Sequence, residues 1–202
     1  MWHYQETEEK TKYLTQEQVR RLFAQITSPR DRVMFDMMYK YGLRASEVGL
    51  LRLKDLKWER NRIKIWRLKH GKSREYMLFS DTSYLLGYYL RDIESDLNIP
   101  LFLSRNKNPI SRKTIDWHIK RYAPIAGIPK ELHHAHVLRH SIAVHMGDAG
   151  FSQKDVQFHL GHKRLESTSR YMAISGRRQH RIFEKMQGAD EIVSYRKDLE
   201  LV

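Results

Sequence analysis

Residues 136–145, HVLRHSIAVH, are the stretch on which the interpretation of this chain depends. The segment holds three histidines and one arginine, and the preceding LHHAH adds His133 and His134. A metal site, an anion-binding site, a catalytic site and a chance cluster of core or surface histidines are all consistent with it. The surrounding sequence has to separate these alternatives.

A metal site at this cluster is disfavoured by the residues around it. His136 and His140 share a helix face, as zinc-binding pairs do. However, Arg139 lies between them and would repel a cation, and Val137 stands where a metalloprotease motif has glutamate. The chain has no cysteine, so thiolate ligands are excluded. We therefore predict no metal ligands and no cofactor.

A phosphate site fits HVLRH better. The planar guanidinium of Arg139 can bind a phosphate through two oxygens, and neighbouring imidazoles can donate to a third or carry a proton. Such a clamp stabilises the charge that develops during an in-line displacement at phosphorus. Chemistry would still require a nucleophile and an acid.

The charge of the chain points to a polyanionic partner. The 202 residues include 37 Lys and Arg against 24 Asp and Glu, which gives a net charge of +13. Nucleic acid is the usual partner of so basic a domain, and an anionic membrane surface is the alternative. No apolar run reaches the roughly 18 residues of a membrane span, and the N-terminus does not resemble a signal peptide. We expect a cytoplasmic, nucleoid-associated protein without a membrane partner.

Periodicity predicts a mainly α fold with one small antiparallel β-sheet, of the α+β class. The strands are expected within 53–58, 61–68 and 73–79, where apolar and polar residues alternate. Helices are expected after the N-caps Thr15, Asp81 and Ser111, from Pro29 to Gly42, and over 136–149, 152–160 and about 166–174.

A candidate nucleophile follows the histidine cluster. LGH, residues 160–162, breaks a helix at Gly161 and presents His162, and Tyr171 follows nine residues later. A phenol is a weak nucleophile until its proton is removed or its oxyanion is stabilised. An arginine and histidine clamp would supply that stabilisation.

HVLRH, LGH and the spaced Tyr171 together resemble the C-terminal signature of tyrosine recombinases, the phage-integrase family. YGLRASEVGLLRLKDL (41–56) is similar to the family's first motif, and RLKHGKSREYML (67–78) resembles the hairpin that carries the family's lysine. The motifs occur in the family's order over about residues 13–180, nearly the whole chain.

The resemblance implies a phosphate-binding set. Arg44 and Arg139 would hold the non-bridging oxygens of the scissile phosphate, and His162 would donate a hydrogen bond to it. His136 would act as proton acceptor or phosphate ligand. Glu47, in the family's Arg-x-x-Glu pattern, is expected to pair structurally, because a carboxylate would repel phosphate.

The resemblance also implies the covalent chemistry. Tyr171 would attack phosphorus and form a 3′-phosphotyrosyl link, while Lys69 would protonate the departing 5′-oxygen. The two arginines, two imidazoles and the ammonium would replace the metal of most phosphoryl-transfer sites, and no ATP would be needed. An ungapped match favours Lys69, and a shift of the hairpin register would favour Lys72.

Two basic segments are candidates for DNA contacts. The helix over 111–122 could enter a major groove with four cations, namely Arg112, Lys113, Lys120 and Arg121. The run KWERNRIKIWRLKHGK, residues 57–72, is either a solvated face or a further contact with the DNA backbone. Phosphate contacts position a protein and base contacts give specificity, and the sequence does not sort the two.

The implied domain plan is a leader or linker at 1–13, a catalytic domain at 14–176 and a C-terminal helix or tail at 177–202. Most family members carry a helical DNA-binding domain first, so we expect an isolated catalytic domain or a short member, such as the fimbrial phase-switch invertases. The tail, with Ile182, Phe183 and Met186 on one helical face, would either join subunits of a homotetramer on double-stranded DNA or fold back on its own core.

The implied activity is site-specific DNA recombination, as in integration of phages and mobile elements, excision, inversion or dimer resolution. Three alternatives remain. A type IB-like topoisomerase uses a similar residue set. A DNA-binding accessory or regulatory protein of the same fold would bind without forming a Tyr171 adduct. A metal-dependent nuclease would lose all cleavage in chelator.

Overall fold

The computed structural model describes residues 13–68, 71–91, 93 and 96–162. The helices are α1 Gln16–Ala24, α2 Pro29–Lys40, α3 Ala45–Val48, α4 Ser80–Leu90, α5 Arg112–Ile125, α6 His136–Asp148 and α7 Gln153–Leu160. The strands are β1 Leu56–Lys57, β2 Arg62–Ile65 and β3 Arg74–Met77. The predicted fold class, mainly helical with one small antiparallel sheet, is confirmed. The predicted helix at about 166–174 and the tail at 177–202 lie outside the described residues.

Local sequence signals account for most of the helix starts. The Thr15 hydroxyl accepts a hydrogen bond from the Gln18 backbone, and the Gln18 side chain accepts one from the Thr15 backbone, which is the capping box expected from the sequence. Ser28 caps α2 ahead of Pro29, and Ser111 caps α5.

The start of α4 differs from the prediction. The helix begins at Ser80 with Phe79 in the capping position, so Asp81 lies in the first turn rather than at the N-cap. The Asp81 carboxylate is paired with the Lys40 ammonium and also accepts from the backbone of Thr82. A negative charge near the N-terminus of a helix interacts favourably with the helix dipole. Asp81 therefore stabilises α4 from the first turn, as it would from the N-cap.

The three strands form one antiparallel sheet in the order β1-β2-β3. Ile63 of β2 faces Leu56 on one side and Tyr76 on the other. Ile63 and Ile65 are fully buried, as expected of alternate residues on the inner face of a sheet. β1 has only two residues, because the chain before it forms a 3₁₀ turn over Leu53–Asp55.

Two groups of buried apolar residues hold the fold together, and α6 contributes to both. Val137 and Leu138 belong to the main core, whereas Ala143 and Val144 pack with Val156 and Leu160 of α7. The segment before α1 is tied to the same helix, since the Leu14 backbone donates to the Ser141 hydroxyl at 2.8 Å. None of the helices within the described ranges is long and apolar enough to cross a membrane.

The β2–β3 hairpin packs against the C-terminal end of α7. Gly161, which follows that helix, has a φ of +67°. Its carbonyl accepts from the Lys72 backbone at 3.2 Å, and the His159 carbonyl accepts from the Tyr76 hydroxyl at 2.8 Å. A Cβ on Gly161 would lie 3.1 Å from Arg67 Cγ and 3.2 Å from the Lys72 carbonyl oxygen. The end of α7 therefore requires glycine both for its backbone conformation and for the hairpin.

Replacing Gly161 with alanine is expected to lower the free energy of unfolding by about 1–2 kcal/mol, because the residue has positive φ and faces the hairpin closely. Gly87 gives a matched control in the interior of α4, where an added Cβ would meet nothing within 4 Å. Gly87→Ala should raise the free energy of unfolding by about 0.5–1 kcal/mol through helix propensity. Urea unfolding of both variants measures this, and equal effects would contradict the account.

Candidate active site

The carboxylate of Glu47 lies at the centre of the candidate site and is fully buried. Arg67 Nη1 donates to its Oε2 at 3.0 Å, and Arg44 Nη1 donates to its Oε1 at 2.5 Å. Arg139 Nη1 is 3.8 Å from Oε2. The backbone amides of Arg44 and Leu68 also donate to the carboxylate, at 3.0 and 3.2 Å. One acidic group therefore holds three guanidiniums together, in the structural role predicted for it.

Glu47 remains ionised in this environment. Burial acts to raise the pKa of its carboxyl, but the charge of Arg67, the Arg44 amide and the charges of Arg139 and Arg44 outweigh burial and lower the pKa. A buried carboxylate is stable when its charge and its lone pairs are both satisfied, and the four hydrogen-bond donors around Glu47, with the nearby charge of Arg139, meet that condition.

Arg67 is the part of the site that the sequence reasoning did not identify. It was placed in a basic run that was expected to be solvated or to contact DNA, but its side chain is fully buried. Its guanidinium donates to the carbonyls of Tyr41 and His159, to the Tyr76 hydroxyl and to Glu47. Strand alternation was the available signal, because residue 67 has the same parity as the buried Ile63 and Ile65.

Arg139 is only 1% exposed and is fixed by the ends of two helices. Its Nη1 donates to the Gly42 carbonyl just after α2, and its Nη2 donates to the Leu160 carbonyl of α7 at 3.0 Å. Nη2 is also 2.6 Å from Nε2 of His162. Since a guanidinium can only donate, His162 Nε2 is the acceptor and the proton of the neutral ring is on Nδ1.

The two predicted histidines are both neutral at neutral pH. Burial, followed by the charges of Arg139 and Arg44, lowers the pKa of His162 to about 3. His136 is more exposed, yet desolvation and the charges of Arg139 and Arg44 lower its pKa to about 4. Its ring lies edge-on to that of His140, with centroids 4.4 Å apart. A neutral His136 can accept a proton, as a general base must.

The structure brings together four of the six predicted site residues. Arg44 and Arg139 pair with Glu47, His162 contacts Arg139, and His136 lies one turn before Arg139 on α6. Lys69 and Tyr171 lie outside the described residues. Lys72, the alternative to Lys69, is exposed and donates its backbone N–H to Gly161.

The four cations predicted on α5 do not share one face. Arg112 is 3.7 Å from Asp116 and is one of the charges acting on His136, so it lies toward the candidate site. Lys113 and Arg121 instead line a cleft of about 640 Å³ together with Arg30 and Arg105. Lys120 is exposed.

A buried polar network forms the floor of this cleft. Asp31 is 1% exposed and accepts from Arg30 at 2.7 Å and from the Tyr122 hydroxyl at 2.9 Å. His118 Nδ1 is 2.9 Å from the same carboxylate, and the ring of Trp117 beside it is exposed. Burial acts to raise the pKa of Asp31, but its bonds to His118 and Arg30 lower it, so Arg30 is anchored by a charged partner.

The arrangement is suited to binding a phosphodiester. Two arginines from distant parts of the chain converge on one carboxylate, and neutral imidazoles flank one of them. Guanidiniums held by buried acceptors are preorganised, so they lose little rotamer freedom when they bind an oxyanion. Among the described residues, no group of three or more His, Asp or Glu side chains could hold a metal ion.

Comparisons with known proteins identify the family of this chain. The XerA tyrosine recombinase of Thermococcus onnurineus (strain NA1) is 34% identical over 171 residues, covering 81% of this chain and 58% of that protein. The XerD tyrosine recombinase of Xanthomonas axonopodis pv. citri (strain 306) is 32% identical over 185 residues, covering 84% of this chain and 60% of that protein. The chain thus spans about 60% of the length of these curated relatives.

Solved structures and a family model lead to the same assignment. The XerH site-specific recombinase bound to difH substrate, in a pre-cleavage complex, superposes with a TM-score of 0.69 at 25% identity, covering 79% of this chain and 49% of that one. The model of the phage integrase family matches residues 12–178. The chain therefore belongs to the phage integrase family and contains a tyrosine recombinase catalytic domain.

Proposed function

We propose that this chain is the catalytic part of a site-specific DNA recombinase that cleaves and rejoins strands through a 3′-phosphotyrosyl intermediate, without metal or ATP. The observation that carries the proposal is the convergence of Arg44 and Arg139 on Glu47, with His162 2.6 Å from Arg139. The relatives that share the fold act as recombinases, and XerH was solved with its DNA substrate.

The guanidiniums of Arg44 and Arg139 would neutralise the non-bridging oxygens of the scissile phosphate. A phosphate held between two fixed cations needs no metal for charge stabilisation, because the site already supplies the positive charge. Binding an anion beside His162 would also raise the pKa of that imidazole from its low value, and its Nδ1–H would then be the donor to an oxygen.

Strand cleavage would use the two residues outside the described ranges. The Tyr171 oxygen would attack phosphorus as the bond to the 5′-oxygen breaks, and its proton would pass to the neutral His136. The Lys69 ammonium would protonate the leaving oxygen. The phosphotyrosine would keep the energy of the broken bond until another 5′-hydroxyl attacks it, and reversal of the steps would rejoin the strands.

The direct test is covalent capture on nicked duplexes with randomised sites, incubated in chelator and resolved on a denaturing gel. The wild-type chain is expected to give a DNA-shifted protein band that Tyr171→Phe does not give. Tyr84→Phe is the matched control, since Tyr84 is 73% exposed on α4 and should leave the band unchanged.

Two alternative activities have their own result in this assay, and the third is separated by a second assay on supercoiled plasmid. Binding without any adduct would identify a DNA-binding accessory or regulatory protein and overturn the proposal. Loss of all cleavage in chelator would indicate a metal-dependent nuclease. Relaxation of supercoiled plasmid without exchange between sites would indicate a type IB-like topoisomerase.

Double-stranded DNA is the proposed partner, and the α5 cations are the proposed backbone contacts outside the scissile phosphate. Arg112, next to the candidate site, would contact the duplex near the scissile phosphate. Lys113 and Arg121 would bind phosphates in the cleft that they line, and the exposed Lys120 would add a further backbone contact. The anchored Arg30 adds a fixed positive charge to that cleft. The chain is further proposed to assemble into a homotetramer on paired DNA sites. The mass of the DNA complex, measured by light scattering, tests this assembly.

Lys113→Ala is expected to weaken binding to all duplex sequences and to reduce the slope of log affinity against log salt by about 1, because one phosphate contact is lost. Lys154→Ala removes the same charge from the exposed surface of α7 and serves as the control. Fluorescence anisotropy across a salt series gives both slopes. An unchanged slope in Lys113→Ala would show that the cleft does not bind the backbone.

A further inference from the structure

The Arg67 guanidinium donates to four acceptors besides the Glu47 carboxylate. Its Nη1 donates to Glu47 and to the Gly42 carbonyl at 3.0 and 3.2 Å. Its Nη2 donates to the Tyr41 carbonyl at 2.7 Å and to the Tyr76 hydroxyl and His159 carbonyl at 3.1 and 3.2 Å. The side chain therefore joins the end of α2, the start of α3, β3 and the end of α7 to one point just after β2.

The described residues on either side of 69–70 pack close to Arg67. Leu68, the next residue, donates its amide to Glu47 Oε1, and Gly71 returns a hydrogen bond to the Leu68 carbonyl at 3.1 Å. A Cβ on Gly71 would lie 2.7 Å from Arg67 Cβ, so the returning chain passes directly over Arg67. Leu68 is thus bonded to Glu47, and Gly71 is bonded to Leu68 and packs against Arg67.

We propose that Arg67 is a positioning residue for the general acid: by fixing the base of the hairpin to the arginine cluster, it sets where Lys69 delivers its proton. The inference rests on the proposed function, in which Lys69 protonates the leaving 5′-oxygen. Arg67 is buried and touches neither DNA nor the reacting atoms in this role, so its effect on the reaction passes through the hairpin.

Arginine suits this role and lysine does not. The planar fork of a guanidinium offers five donors in fixed directions, so one side chain can bind acceptors from four segments at once. A lysine ammonium at the same place could keep the charge opposite Glu47, but its three donors diverge from a single nitrogen. Arg67→Lys should therefore preserve the ion pair and loosen the hairpin.

The chemistry of the leaving group separates this role from a structural one. In cleavage, the Tyr171 oxygen forms a bond to phosphorus, the bond to the 5′-oxygen breaks, and Lys69 supplies the proton that makes the 5′-hydroxyl. When sulfur replaces that bridging oxygen, the 5′-thiolate leaves without a proton, because thiols ionise with a pKa of about 8.5. A defect in delivering the proton is therefore rescued by sulfur, whereas a defect in binding phosphate or in Tyr171 attack is not.

The experiment measures single-turnover adduct formation on nicked duplexes with a bridging 5′-oxygen or 5′-sulfur at the cleavage site. The full chain would be compared with Arg67→Met and Arg67→Lys, and Lys69→Ala would define the rescue expected for loss of the acid. Arg67→Met is expected to slow cleavage of the oxygen substrate about 100-fold or more and to cleave the sulfur substrate within about 3-fold of wild type. Arg67→Lys should show the same pattern with a smaller loss.

Arg74→Met is the matched control. Arg74 is on the same hairpin and also donates to a carbonyl of α7, that of Phe158 at 3.0 Å, but it does not contact Glu47. For Arg74→Met, the ratio of the cleavage rate on the sulfur substrate to that on the oxygen substrate should equal the wild-type ratio.

Equal slowing on both substrates in the Arg67 variants would overturn the inference and limit Arg67 to supporting Arg44 and Arg139. Loss of folding in both variants, detected by thermal unfolding, would also overturn it, since Arg67 would then be purely structural. Absence of any wild-type adduct on either substrate is a different result, because it would reject the proposed function itself.

Discussion

The buried ion cluster around Glu47 is the interaction on which the rest of the site depends. A carboxylate removed from water is unfavourable unless its charge and its lone pairs are both satisfied, and here three guanidiniums and two backbone amides satisfy them. Three arginines in close contact would repel each other, and the negative charge of Glu47 offsets that repulsion. Glu47 thus makes it possible to concentrate positive charge where a phosphate has to bind.

Groups at the ends of helices, and not groups in helix interiors, hold the residues of this cluster in place. Arg139 takes its acceptors from carbonyls that lack partners within α2 and α7, and Arg44 and Glu47 come from the capping residues and first turn of α3. Carbonyls at helix C-termini carry partial negative charge, which suits a buried guanidinium. The tight turns at Gly42 and Gly161, both with positive φ, direct those carbonyls inward. Packing of α6 against both core groups then fixes Arg139 between them.

The sequence predicted the parts of this structure that depend on local signals. The caps at Thr15 and Ser111 and the three strands follow from residue type and spacing over a few positions, whereas the pairing role of Glu47 was implied by the family resemblance. Arg67 was missed because its charge suggested solvent, while its burial depends on acceptors that come from distant segments. The α5 cations were predicted as DNA contacts of one helix, but the sequence did not show that Arg112 pairs with Asp116 or that Lys113 and Arg121 line a cleft with Arg30. The N-cap predicted at Asp81 was wrong: Phe79 takes the capping position, and Asp81 in the first turn pairs with Lys40, which is distant in sequence.

The claim that one carboxylate organises the site is tested most directly by a double-mutant cycle in the free energy of unfolding between Glu47→Gln and Arg67→Met. Each single variant leaves a buried charge without a full set of partners and is expected to cost about 3 kcal/mol or more. The double variant removes both charges, so it should be more stable than the sum of the two losses implies, with a coupling energy of about 2 kcal/mol or more. Losses that add within about 0.5 kcal/mol would contradict the account, because Glu47 and Arg67 would then act independently.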